Sequence, residues 1–266
     1  MTRYLMGRSN LFASAFLAIA ITLGSAAWAE QISVKHVQRP MHRFMVARLE
    51  DGKTIARGEF TQVVRGDEVS MRLIYHFGDG SVDEETTTYR QQGTFRLVRS
   101  HLIQKGPFFV KAVDFSVEAA TGMATTRTTD RSGNVHVETE HVNLPDDLAN
   151  GFVGTLLLNV PPDAKPFRVG MLAPVGGGRL IQLLISPEGE QPFHMAGETL
   201  KATVFRIHPE LGGIVGVIAE LIGLQPKDVR VWVQEGEDPA VVRIVGQLGG
   251  YGPVVNSDLE GASFGK

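Results

Sequence analysis

From about residue 41 onward the chain alternates apolar and polar side chains with a period of two. "EVSMRLIYHF" places Val69, Met71, Leu73, Tyr75 and Phe77 on one side, with Glu68, Ser70, Arg72 and His76 on the other. "KAVDFSVEA" sets Val113, Phe115 and Val117 against Asp114, Ser116 and Glu118. "DVRVWVQEG" sets Val229, Val231 and Val233 against Arg230, Trp232 and Gln234. Side chains of an extended chain point alternately to opposite faces, so the pattern predicts strands with one face buried. Asp51-Gly52, Gly66-Asp67, Asp79-Gly80, Thr121-Gly122, Ser132-Gly133 and Glu188-Gly189 separate such runs. Gly and Asn or Asp accept the positive φ of hairpin turns, so the strands are expected to follow one another as hairpins. "VGGGRL", 175–180, joins two further runs and reads as another turn rather than a phosphate cradle. About eleven to thirteen strands fit between residues 41 and 258, and a sheet of that size curls or closes. The expected fold is mainly β: a long antiparallel meander forming a barrel or half-barrel, with one or two short helices covering its open face.

Two stretches break the strand rhythm. In "NLPDDLANGFVGTLLLNV", Pro145, the acids Asp146 and Asp147, and the apolar Leu148, Phe152, Val153, Leu156 and Leu157 read as an amphipathic helix with acids in its first turn. The second is "ELGGIVGVIAELIGLQP", Glu210 to Pro226, whose interior carries Glu220 as its one charge. It is shorter than a membrane span needs to be and is interrupted by Gly212, Gly213, Gly216 and Gly223. As a helix it would gather small residues on one side and Ile214, Val217, Ile218, Leu221 and Ile222 on the other, giving an apolar cover for the sheet.

Residues 1–29 are expected to be a cleaved export signal, with Arg3 and Arg8 before an apolar run from Leu11 to Gly24 and Ala27-Trp28-Ala29 at the cut. The remainder, 30–266, is expected to be a single β-rich domain. The chain has no cysteine. That excludes a lipid anchor at the cut, and it fits a bacterial periplasm better than a eukaryotic secretory route. A net charge of −3 with scattered Lys and Arg gives no electrostatic footprint for nucleic acid.

No dinucleotide fingerprint or phosphate loop occurs. "VHVETEH" puts His136, Glu138 and Glu140 on one face of a strand, but a metal site there would need ligands from another strand. No metal and no cofactor is assigned. In "FGDGSVDEETTTY" a simple hairpin would set His76 opposite Asp83, and the acids read as a charged hairpin tip. Phe108 and Phe109 follow a strand end at Gly106-Pro107, where they could line the mouth of a cavity.

"HLIQKGP" at His101, "NLPDDLANG" at Asn143 and "HPELGGIVGVIAELIGLQP" at His208 together resemble a family of exported bacterial proteins of uncharacterised activity. The architecture is more loosely similar to periplasmic lipoprotein-carrier proteins, which are curved β-sheets. The resemblance implies a periplasmic or secreted location and brings no catalytic residue with it. The leading expectation is a non-enzymatic binding protein with scope for peripheral contact with the envelope. It would hold a lipid or other apolar small molecule between the curved sheet and its helical cover. The expected lining residues are Phe108, Phe109, Phe152, Leu156, Ile214, Val217, Ile218 and Leu221, around a cavity of at least about 300 Å3. A hydrolase or isomerase working through His141, Asp146 and Asp147, with His208 or Glu210 nearby, is the alternative. An outer-membrane barrel is the third.

Overall fold

The computed structural model describes residues 31–210, 227–248 and 252–265. The expected export signal, residues 1–29, and the expected cover, with its Ile214, Val217, Ile218 and Leu221, lie outside the described residues.

The strands run β1 (Met41–Leu49), β2 (Thr54–Arg65), β3 (Glu68–Phe77), β4 (Val82–Gln92), β5 (Thr94–Lys105), β6 (Ala112–Glu118), β7 (Met123–Thr129) and β8 (Val135–His141). A single helical turn, α1 (Val153–Leu157), precedes β9 (Phe167–Ala173), β10 (Arg179–Met195), β11 (Glu198–Glu210), β12 (Val229–Gln234), β13 (Ala240–Gln247), β14 (Val254–Leu259) and β15 (Ser263–Phe264). Among the described residues all fifteen strands belong to one antiparallel sheet, ordered β15-β10-β11-β12-β13-β14-β1 and then β2 through β8, with β9 also on β10. β14 returns to β1, Met45 opposite Leu259, and so joins a C-terminal meander to an N-terminal one.

The sheet curls without closing. No ladder joins β8 to β9 among the described residues, yet the β9–β10 turn rests on β7 and β8. A Cβ added to Gly177 would fall 2.4 Å from Glu140 Cγ, and one on Gly178 would fall 2.8 Å from Ala124 Cβ. Only glycine lets the backbone come this close. The ends of the sheet therefore meet by packing, which is the half-barrel form of the expected class.

Five of the six expected Gly turns are hairpin turns with positive φ at the glycine. The sixth is not. Glu188-Gly189 lies inside β10, where Gly189 takes φ +103° at a bulge that shifts the register between Pro187 and Gly189. A bulge makes the same demand for positive φ as a turn, so the chain runs on for 17 residues. It reverses at Ala196 and Gly197, both with positive φ. The helix is also shorter than the sequence predicts. Gly151 at φ +73° breaks it, so that α1 starts without a side-chain cap and Asp146 and Asp147 lie outside it. Residues 147–150 instead lie along β9. Asp147 accepts the Gly170 N–H at 2.9 Å. The buried Asn150 amide accepts from Leu172 N and donates to Leu172 O, both at 2.8 Å. Asn150 thus stands in for a strand partner, satisfying backbone groups that burial would otherwise make costly.

This segment and α1 fill the concave side. Phe152, Leu156, Leu157 and Leu158 pack with Tyr89, Phe95, Phe115 and Val117 from one wall and with Val169, Leu172, Ile181, Leu183, Phe205 and Val231 from the other. Tyr89 and Phe152 stack with ring centroids 4.9 Å apart. A second cluster gathers Tyr75, Phe77 and Phe109 with Phe193, Val204, Trp232 and Val242. β12 is buried on both faces, since Val231 and Val233 enter the first cluster and Trp232 the second.

Candidate binding cleft

The arm before β1 crosses the mouth of the half-barrel. Lys35 N–H and His36 N–H both donate to Asn159 Oδ1, at 2.8 and 2.7 Å. Gln38 and Gln91 exchange side-chain-to-backbone bonds of 2.7 and 3.1 Å. Between this arm, the chain after α1 and strands β11 and β12 lies a cavity of about 240 Å3. Leu157, Leu158, Val160, Phe205 and Val233 supply its apolar surface, with Lys35, His36 and Glu235 as ionisable groups around it. It is open on one side, and Lys35 is exposed.

The opposite wall of the same concave face is built differently. Register aligns Tyr75 with Asp83 and Asp83 with Gln104, then Leu73 with Glu85 and Glu85 with Leu102, then Met71 with Thr87 and Thr87 with Ser100. Directly opposed residues share a face, so a polar row runs among the apolar ones. Asp83 accepts from Gln104 Nε2 at 3.3 Å, and Tyr75 hydroxyl meets Ser257. Burial pushes the Asp83 carboxyl up to about 6 against the Gln104 bond. Burial pushes Glu85 up to about 7, with the Asp83 charge adding to it. Glu85 is closely surrounded yet keeps some contact with solvent, and Gly151 lies against it and Thr87. The Tyr75 hydroxyl is raised to about 12 by burial. Among the described residues the buried Thr126 hydroxyl finds no hydrogen-bond partner.

The acids of β4 are therefore not simply a charged hairpin tip. Phe77 N–H donates to Ser81 O at 3.0 Å, which closes the turn around Gly78, Asp79 and Gly80. The extra loop residue slips the expected pairing by one. His76 faces Val82 and is exposed, while Tyr75 faces Asp83 on the inside. A one-residue slip exchanges faces for every residue on the strand.

The expected lining residues divide between two places. Phe152, at the start of α1, and Leu156, within it, are buried in the first cluster, beside a small crevice of about 10 Å3. Phe108 and Phe109 pack on Phe77 in the second, with centroids 4.5 and 5.7 Å away. The alternative acid–base set is held by separate partners. Asp146 pairs with Arg96 at 2.6 Å and Glu210 with Arg168 at 2.7 Å. His208 pairs with Asp228 at 2.7 Å. Burial pushes Asp228 up, but bonds from His208 and Arg206 more than offset it and leave the carboxyl low. Burial raises Asp147 despite the Gly170 bond. His141 sits on the exposed strand β8. His136 and Glu138 approach to 3.3 Å, and no cluster of three or more metal-ligating side chains occurs among the described residues. Sequence reasoning missed Leu157, Leu158, Phe205 and Val233 as a group, because they converge only through the fold.

No family model matches the chain, and no curated protein matches it. Among solved structures it is similar to the crystal structure of a beta-barrel-like protein of the domain of unknown function DUF1849 from Brucella abortus. Identity is 11%, the TM-score is 0.46, and the match covers 87% of this chain and all of that one.

Proposed function

We propose that the protein is an exported, non-enzymatic binding protein of the bacterial envelope that holds a small apolar or amphipathic molecule at the mouth of its half-barrel. The observation that carries this reading is the cavity between the N-terminal arm and β11–β12, with an aliphatic and aromatic floor and ionisable groups around it. Small-molecule sites are typically concave and mostly apolar, with a few placed polar groups. At about 240 Å3 the cavity is below the roughly 300 Å3 at which such sites begin. The ligand is accordingly a single chain or ring rather than an intact membrane lipid. Export is supported by the N-terminal sequence pattern and the absence of cysteine.

Native mass spectrometry and solvent extraction of protein purified from periplasm test the proposal. A stoichiometric apolar adduct, lost when Val160→Trp fills the cavity, is the expected result. Protein that carries no adduct and binds no fluorescent fatty acid would remove the basis for this function. Val160 is only partly buried but packs on the first cluster, so a thermal melt of the variant accompanies the binding measurement.

A further inference from the structure

Among the described residues β8 differs from every other strand longer than two residues in burying none of its side chains. It pairs with β7 on one side, and no described strand pairs with its other side. Such an edge presents unpaired N–H and C=O groups to any extended chain that fits. Proteins commonly blunt an edge with charged side chains (lysine above all), proline, a bulge or a covering loop. On β8 only Glu138 and Glu140 are acidic, and the β9–β10 turn covers the strand at Glu140. β8, "VHVETEH", has no lysine or proline, and its ladder to β7 is unbroken. Val135 and Val137 stand 48% and 53% exposed on one face. His136 and Glu138 project from the other.

We infer that β8 is the contact strand of a twofold-symmetric dimer, pairing antiparallel with β8 of a second copy about Val137. The pattern of the strand selects this occupant and this register. With Val137 on the axis, each Val137 meets the partner subunit's Val137, and each Val135 meets the partner subunit's Thr139. On the other face each His136 meets the partner subunit's Glu138, an arrangement the symmetry repeats. Moving the axis to Glu138 sets two carboxylates against each other, and moving it to His136 sets two imidazoles against each other. A half-step places the valine face of one copy beside the charged face of the other, a mismatch that disfavours the slip. The β9–β10 turn packs on β8 at Glu140, so the pairing is confined to the stretch from Val135 to Thr139. An isologous contact of this kind is self-limiting and stops at two copies.

Sedimentation velocity of the purified mature chain across a concentration series tests the inference. The parent protein is expected to show a concentration-dependent monomer–dimer equilibrium. Val137→Lys sets two ammonium groups on the axis and should leave a monomer that melts with the parent at concentrations where the parent is also monomeric. His136→Glu should also weaken the dimer, and combining it with Glu138→Lys should restore it by exchanging the charges across the axis. A parent protein that stays monomeric at the highest attainable concentration overturns the inference. So does a dimer indifferent to Val137→Lys, or one that the paired exchange does not restore.

Discussion

The two walls that enclose α1 are both largely apolar, but only one carries polar rows. Strands β9 to β12 present Val169, Leu183, Phe205, Val231 and Val233 to the interior. Strands β3 to β5 present Tyr75, Asp83, Glu85, Thr87, Ser100 and Gln104 in rows between Met71, Leu73 and Leu102. An aliphatic wall can pack against α1 and still leave an apolar cavity where the fit ends, since an empty apolar space need not recruit water. A wall carrying carboxyls must hydrogen-bond them, keep them in touch with water or hold them protonated. In the proposed function, ligand capture therefore falls to the first wall, and sensitivity to pH falls to the second.

The variant that breaks this arrangement most severely is Phe152→Ala. Phe152 is fully buried and stacked on Tyr89, so it ties the inner segment to the polar wall. Its truncation should cost about 3–5 kcal/mol, as for other buried aromatic residues. Denaturant midpoints measure this, and a loss below about 1 kcal/mol would mean that the inner segment is not docked as described.

The pH dependence of stability sharpens the contrast next. A carboxyl whose folded value lies above its unfolded one keeps its proton longer in the native state. The native state then binds more protons than the unfolded one between about pH 4 and pH 7, and stability falls as pH rises through that window. For Asp83, raised from 3.8 to about 6, the contribution lost by neutral pH is roughly 3 kcal/mol at most. Glu85 acts in the same direction. The double variant Asp83→Asn, Glu85→Gln should flatten the dependence between about pH 4 and 7 and melt higher than the parent at about pH 8. Thermal melts at these values decide the matter, and an unchanged slope would remove both acids from the account.

A smaller effect separates the two faces of β3. Tyr75→Phe removes a buried hydroxyl contact with Ser257 and should cost about 1 kcal/mol. The exposed neighbour His76→Ala should change stability by less than about 0.5 kcal/mol. The reverse ranking would restore the simple hairpin register. Smallest of all, Val137→Lys on the open edge should leave monomer stability within about 0.5 kcal/mol of the parent.

How far the sequence reveals this molecule varies along the chain. The strands β3, β6 and β12 are legible because apolar and polar residues largely alternate, with Ile74 and Trp232 as the main departures. Gly189 is misread because a bulge and a turn make the same backbone demand, while the real reversal at Ala196-Gly197 lacks the Asn or Asp that usually marks one. Asp83 and Glu85 resemble tip acids because "DEETTTY" contains no apolar alternation to show which side faces inward. One additional loop residue at Gly78–Gly80 decides that question. The cavity is the least legible feature. Lys35, Leu157, Phe205 and Val233 are far apart in sequence, and no local pattern links them.

The central claim, that the apolar wall holds a ligand at its mouth, is tested most directly by titrating delipidated protein with a fluorescent single-chain fatty acid, parent beside Val160→Trp. Saturable one-to-one binding by the parent, weakened at least about tenfold (about 1.4 kcal/mol) in the variant at equal thermal stability, is the predicted result. Absence of saturable binding by the parent, or equal affinity in the two proteins, would contradict the claim.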